Sequence, residues 1–88
     1  MICDVSVRTG MHVDDILGRS RIQDIALVRQ LYWKLLRMKK SYSFKTIGRL
    51  CERNHSTIVN GIKHVDSLLE INDEYAVKMW NKVKDIEA

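Results

Sequence analysis

Apolar residues recur along the chain at the three- and four-residue spacing of buried helix faces, in blocks separated by glycine, serine and asparagine. The longest stripe, Ile22, Ile25, Ala26, Val28, Tyr32, Leu35 and Leu36, predicts a helix from about Ile22 to Met38, with Arg29, Gln30, Lys34 and Arg37 largely outside it. A second stripe, Ile58, Val59, Ile62, Val65, Leu68 and Leu69, predicts a helix from His55 to about Glu70. Shorter helices are expected over Ile2 to Arg8, ended by Gly10, and over Val13 to Leu17, stopped by Gly18, with Asp14 and Asp15 suiting the positive end of its dipole. Ser43 reads as the N-cap of a helix from Phe44 to Cys51 whose inner face is Phe44, Ile47, Leu50 and Cys51. Asn72 or Asp73 caps a last helix to about Ile86, with Ala76, Met79, Trp80 and Val83 inward. No segment alternates as a strand would, and no proline breaks the array. The expectation is an all-α, compact array of about six helices in one domain spanning residues 1–88.

Charge changes this picture more than composition does. The chain carries a formal +4. Residues 19–63 hold eleven Lys and Arg against only Asp24 and Glu52, whereas the flanks hold four cations and nine acids. Such polarisation points to a polyanionic partner, with nucleic acid favoured over simple solvation of helix faces. The other classes recede. No apolar run is long enough to span a membrane, and the N-terminus lacks the layout of a secretory signal. Two cysteines, Cys3 and Cys51, are too few for a disulfide scaffold and suit a reducing cytoplasm. His55 and Ser56 are neighbours on one helix and do not face each other, so no nucleophile–base pair is evident. Cys51, His55 and His64, with Cys3 or His12, show none of the paired spacings of a zinc site. Neither catalysis nor a cofactor is expected.

The predicted helices at 43–51 and 55–70 are joined by three or four residues, which suggests a helix-turn-helix. In that motif the second helix enters the major groove and its N-terminal residues reach base edges. Those residues are Asn54, His55, Ser56 and Thr57, followed on the outer face by Asn60, Lys63 and His64. Patterning alone leaves a second reading of the tetrapeptide open, as a good capping sequence. Gly61 inside this helix costs ~1 kcal/mol relative to Ala and implies a close approach by another helix.

Arg53-Asn54-His55-Ser56-Thr57-Ile58-Val59 resembles the start of the recognition helix in the C-terminal DNA-binding domain of DnaA, the bacterial replication initiator, where the family carries Gly-Arg-Asp-His-(Ser/Thr)-Thr-Val. Leu17-Gly18-Arg19-Ser20-Arg21 is similar to the family's basic loop. Ala26 with Arg29-Gln30 is similar to its long-helix pattern, and Ser43 with Ile47-Gly48 to its scaffold helix. The likeness covers about residues 5–70. It implies double-stranded DNA as partner, bound as one monomer per asymmetric site in the cytoplasm, on the nucleoid. Arg21 would enter the minor groove, and Asn54, His55, Ser56 and Thr57 would read the major groove. Arg29, Gln30 and Lys45 would hold phosphates, and Arg19, Lys34, Arg53 and Lys63 are charge-compatible additions by position.

Three departures bear on that expectation. The family's Asp is Asn54, and an amide that donates and accepts suits adenine where a carboxylate suits cytosine N4. The family's Gly-Gly-Arg turn becomes Glu52-Arg53, one residue shorter and without glycine. No Gly-x-x-x-x-Gly-Lys-(Ser/Thr) occurs, so the initiator's ATPase module is absent from this sequence, and a protein partner is one candidate source of that function. A natural stand-alone reader and an excised fragment both fit, and Met1 with its short helix favours the first. The rival is a protein-interaction module anchored by Tyr32, Trp33, Tyr42, Tyr75 or Trp80, with the acidic 66–74 segment facing a basic partner.

Overall fold

The computed structural model describes residues 1–87. Six helices form in chain order: α1 (Ile2–Thr9), α2 (Val13–Leu17), α3 (Gln23–Lys39), α4 (Phe44–Leu50), α5 (His55–Glu70) and α6 (Glu74–Val83). Their ends follow local chemistry. Gly10 closes α1 at φ 74°, in the left-handed region where a side chain would be strained. Ser43 caps α4 by accepting from the Thr46 amide, and Asp73 caps α6 by accepting from the Ala76 amide. Helix α6 ends three residues earlier than expected, yet Ile86 stays buried because a turn returns its amide to the Val83 carbonyl.

Helix α3 is central, and it feeds two cores rather than one. Leu27, Val28, Leu31 and Leu35 pack with Val5 of α1, Ile16 of α2, Val65 of α5 and Ala76, Met79 and Val83 of α6. Trp33 and Leu36 turn the other way, onto Ile47, Cys51, Ile58 and Ile62 of the α4–α5 pair. Half-buried Tyr32 packs against both clusters. This corrects the single-stripe reading of α3. Ile22, expected inward, is 63% exposed, while Leu27 and Leu31, outside the stripe, are buried. Leu50, expected on the inner face of α4, is 60% exposed, and Cys51 takes the buried place beside it. Trp33, off the predicted stripe, is buried within the second core.

The second core fastens α4 to α5 as a helix-turn-helix. The chain reverses between them through Glu52, whose φ of 56° places a non-glycine residue in the left-handed region. The reversal is tight enough that the Gly48 carbonyl accepts from the Arg53 amide at 2.7 Å. A Cβ on Gly48 would stand 2.6 Å from the Arg53 carbonyl oxygen, so only glycine fits there.

Candidate nucleic-acid interface

Three segments converge at one end of the molecule: the basic loop between α2 and α3, the helix-turn-helix turn, and the first turn of α5. A cleft of about 680 Å³ runs between them, with Arg19, Arg21, Arg53, Thr57 and Asn60 on its walls and Trp33 and Gly61 at its base. The floor exists because α3 and α5 meet closely. A Cβ on Gly61 would lie 2.5 Å from Cζ3 of Trp33, which confirms the close approach expected of that glycine.

Asn54 occupies the N-cap position of α5, yet its side chain makes no capping hydrogen bond. The side chains of Asn54, His55, Ser56 and Thr57 are all exposed, and none has an internal hydrogen-bond partner among the described residues. The reading of this tetrapeptide as a capping sequence therefore does not account for its four polar side chains, none of which makes a cap bond. Asn60, one turn further along, shares the cleft with Thr57 and belongs to the same surface. That is the outer-face position its i+3 spacing from Thr57 predicts.

The expected cationic residues separate into two groups. Arg21, Lys45 and Lys63 are exposed, with no internal partner among the described residues. The others are tied to the protein itself. Arg29 is only 6% exposed, and its guanidinium donates to the carbonyls of Ile16 (2.9 Å), Ser20 (3.0 Å) and Asp15 (2.9 Å). In place of an open phosphate-facing position, the structure gives Arg29 the role of a strut under the basic loop. Lys34 is held in an ion pair with Asp66 and lies 5.3 Å from the Trp80 ring. Asp66 is eleven residues along α5 from His55, about 16 Å at 1.5 Å per residue, so Lys34 sits well back from the first turn of α5. Gln30 lines the cleft with its Oε1 buried and unpartnered.

Arg53 donates to the Cys51 carbonyl at 2.7 Å and to the Gly18 carbonyl, with its guanidinium 5.5 Å from the Trp33 ring centre. Arg19 is exposed and donates one N–H to the Glu52 carbonyl at 3.1 Å. Burial pulls the pKa of Arg29 and of Arg53 below the ordinary arginine value, and the neighbouring guanidiniums pull them down further. Asp15 and Glu52 offset this only in part, and no carboxylate among the described residues pairs directly with these arginines, so the surface is one that an anion relieves. Burial conversely pushes the Cys51 thiol up, as befits a small core residue rather than a reactive one.

Comparison with known proteins agrees with this geometry. Residues 2–65 match the family model described as the bacterial dnaA protein helix-turn-helix. The chain is 36% identical over 69 residues to chromosomal replication initiator protein DnaA 2 of Protochlamydia amoebophila, covering 78% of this chain and 15% of that protein. It is 34% identical over 73 residues to the DnaA of Mycoplasma pneumoniae, covering 83% and 17%. With DnaA 1 of Chlamydia trachomatis it shares 36% identity over 64 residues, covering 73% and 14%. The chain thus spans about a sixth of the length of these relatives. No solved structure matches it significantly. On the strength of the family match and the helix-turn-helix it covers, this chain belongs to the bacterial DnaA helix-turn-helix family.

Proposed function

We propose that this chain binds duplex DNA sequence-selectively, at a DnaA-type box, one monomer to each asymmetric site, on the nucleoid of a bacterial cytoplasm. The observation that carries the reading is the uncapped first turn of α5. Four polar side chains are exposed and unpaired beside a cluster of arginines. Side chains that fold neither needs nor uses are free to exchange hydrogen bonds with base edges. Asn54, His55, Ser56 and Thr57 read the major groove. Arg21, free at the tip of the basic loop, enters the adjacent minor groove, where the narrow A·T-rich form attracts a guanidinium. Lys45 and Lys63 hold phosphates on either side, and Arg19 adds its remaining donors. Gln30 offers its amide from within the cleft. Asn54 in place of the family's aspartate shifts preference toward adenine at one position. Replication control through such boxes is the biological setting.

Base readers and phosphate holders separate under titration. Arg21→Ala or His55→Ala should reduce discrimination between a box duplex and a shuffled one by about 1–3 kcal/mol each. Lys45→Ala should weaken both duplexes alike and lower the salt slope by about one unit. Fluorescence anisotropy at several salt concentrations reads both quantities. Equal losses on both duplexes for Arg21→Ala and His55→Ala would remove their base-reading assignment. A protein-interaction module would show no dependence on duplex sequence at any salt.

A further inference from the structure

The basic loop and the helix-turn-helix are bonded to each other by an exchange of arginines. Arg19 of the loop donates to the carbonyl of Glu52 in the turn, and Arg53 of the turn donates to the carbonyl of Gly18 in the loop. The bonds cross 33 and 35 residues of sequence. Helix α2, which leads into the loop, packs on α1 and α3 and not on α4 or α5 among the described residues. Apolar packing therefore does not join loop and turn directly; Arg29 ties the loop to α3, and the two guanidiniums of Arg19 and Arg53 are what bond it to the turn itself. Arg53 is itself held in place, bonded to the Cys51 carbonyl and set beside the buried Trp33 ring. The two cations stand together despite mutual repulsion, because each has a carbonyl of the opposite segment to bind.

We propose that Arg19 and Arg53 are positioning residues, a reciprocal clasp that fixes the minor-groove reader Arg21 at one distance from the major-groove readers Asn54–Thr57, so that the protein measures the spacing between two DNA subsites. This rests on the DNA-reading assignment above. The clasp converts two separate contacts into one rigid ruler. Inserting one base pair between the subsites moves them apart by about 3.4 Å and rotates one by roughly a tenth of a turn. A clasped loop cannot follow both changes, so Arg21 is withdrawn from its groove. The turn in this chain, shortened to Glu52-Arg53, brings the clasp residue directly after the left-handed Glu52.

The test uses the full chain, with Arg19→Gln and Arg53→Gln made separately. In the free protein, amide ¹⁵N relaxation at Gly18, Arg19, Ser20 and Arg21 should show an ordered loop in the wild type. Fast motion should appear there in either variant. Arg19 is exposed, so its replacement keeps the fold even if Arg53→Gln unsettles the Trp33 contact. Each protein is then titrated with a DnaA-type box duplex and with the same duplex carrying a one-base-pair insertion between the subsites. The wild type should lose roughly 5- to 150-fold on insertion, the worth of one base-reading contact. In the variants this penalty should fall to about threefold or less, with weaker binding to the unaltered box. A loop as ordered in Arg19→Gln as in the wild type, or an insertion penalty unchanged in that variant, would overturn the clasp. An equal loss on both duplexes, which leaves the insertion penalty as it was, would reduce Arg19 to its phosphate contact alone and likewise overturn the clasp. If the wild type itself fails to distinguish box from shuffled DNA, the DNA reading falls, and the relaxation arm still decides whether the clasp orders the loop.

Discussion

Gly61→Ala is expected to destabilise the protein by about 2–3 kcal/mol, although alanine is the better helix former by about 1 kcal/mol. The added methyl would stand 2.5 Å from Cζ3 and 2.8 Å from Cε3 of Trp33. Neither atom is the loose end of a flexible chain. The indole is 4% exposed, sits in the second core with Leu36, Ile47 and Ile62, and carries Arg53 near its face. Relief requires moving α5 away from α3 or rotating the ring, and either change disturbs the floor of the cleft. For a domain of this size, total stability is about 4–13 kcal/mol, so the loss is a sizeable share of the whole. Thermal unfolding followed by circular dichroism should show Tm lowered by about 10–20 °C. Gly61→Val should fall further, since its branched carbons have no exit from the same contact. A Tm at or above the wild-type value for Gly61→Ala would mean that the helices do not meet as closely as the structure has them.

The second large effect is expected at Arg29. Arg29→Met keeps the length of the side chain and removes the guanidinium, leaving the carbonyls of Asp15, Ile16 and Ser20 without their donor. A hydrogen bond to a charged group is worth about 1.5–3 kcal/mol net, and buried acceptors left unpaired cost more than the bond alone. A loss of about 3 kcal/mol or more follows, even allowing water into the edge of the site. Arg29→Lys should recover only part of it, because an ammonium cannot span three carbonyls presented to a planar fork. The functional consequence differs from that of a lost phosphate contact. Ser20 immediately precedes Arg21, so the strut anchors the residue next to the proposed minor-groove reader. Arg29→Met should therefore reduce discrimination between duplexes as well as Tm. A wild-type Tm with uniformly weaker DNA binding would instead return Arg29 to the phosphate-facing role that the resemblance implies.

Much of the fold is legible in the chain because its punctuation is strong. Gly10, Gly18, Ser43, Asn54 and Asp73 stand at helix ends, and α2 and α5 run between the residues that local patterning predicts. What patterning misreads is α3. A hydrophobic stripe assumes one buried face, whereas this helix has neighbours on opposite sides and buries Leu31 toward one core and Trp33 toward the other. Ile22 and Leu50 fall at the edges of their helices, where the periodic face runs beyond the packed region.

The site shows the same division. Asn54–Thr57 is recognisable as the start of a helix, but only coordinates reveal that its side chains are left free of capping. Arg29 and Lys34 read as solvent-facing cations because their partners are distant in sequence. The carbonyls that hold Arg29 come from nine to fourteen residues away, and Asp66 lies 32 residues beyond Lys34. The excess of cations over residues 19–63 located the right region. Its chemistry is divided, though, between side chains that face outward and side chains that build the surface presenting them.

The central claim is that the exposed first turn of α5, with Arg21 beside it, selects sequence rather than merely attracting a polyanion. Titrating the wild-type chain against a fluorescent DnaA-type box duplex and a shuffled duplex of the same composition, at about 150 mM salt, tests it most directly. Several mismatched base pairs at about 1–3 kcal/mol each predict tighter binding to the box by roughly a hundredfold or more. Equal affinities that fall steeply and together with salt, or no binding to either duplex at low salt, would contradict it.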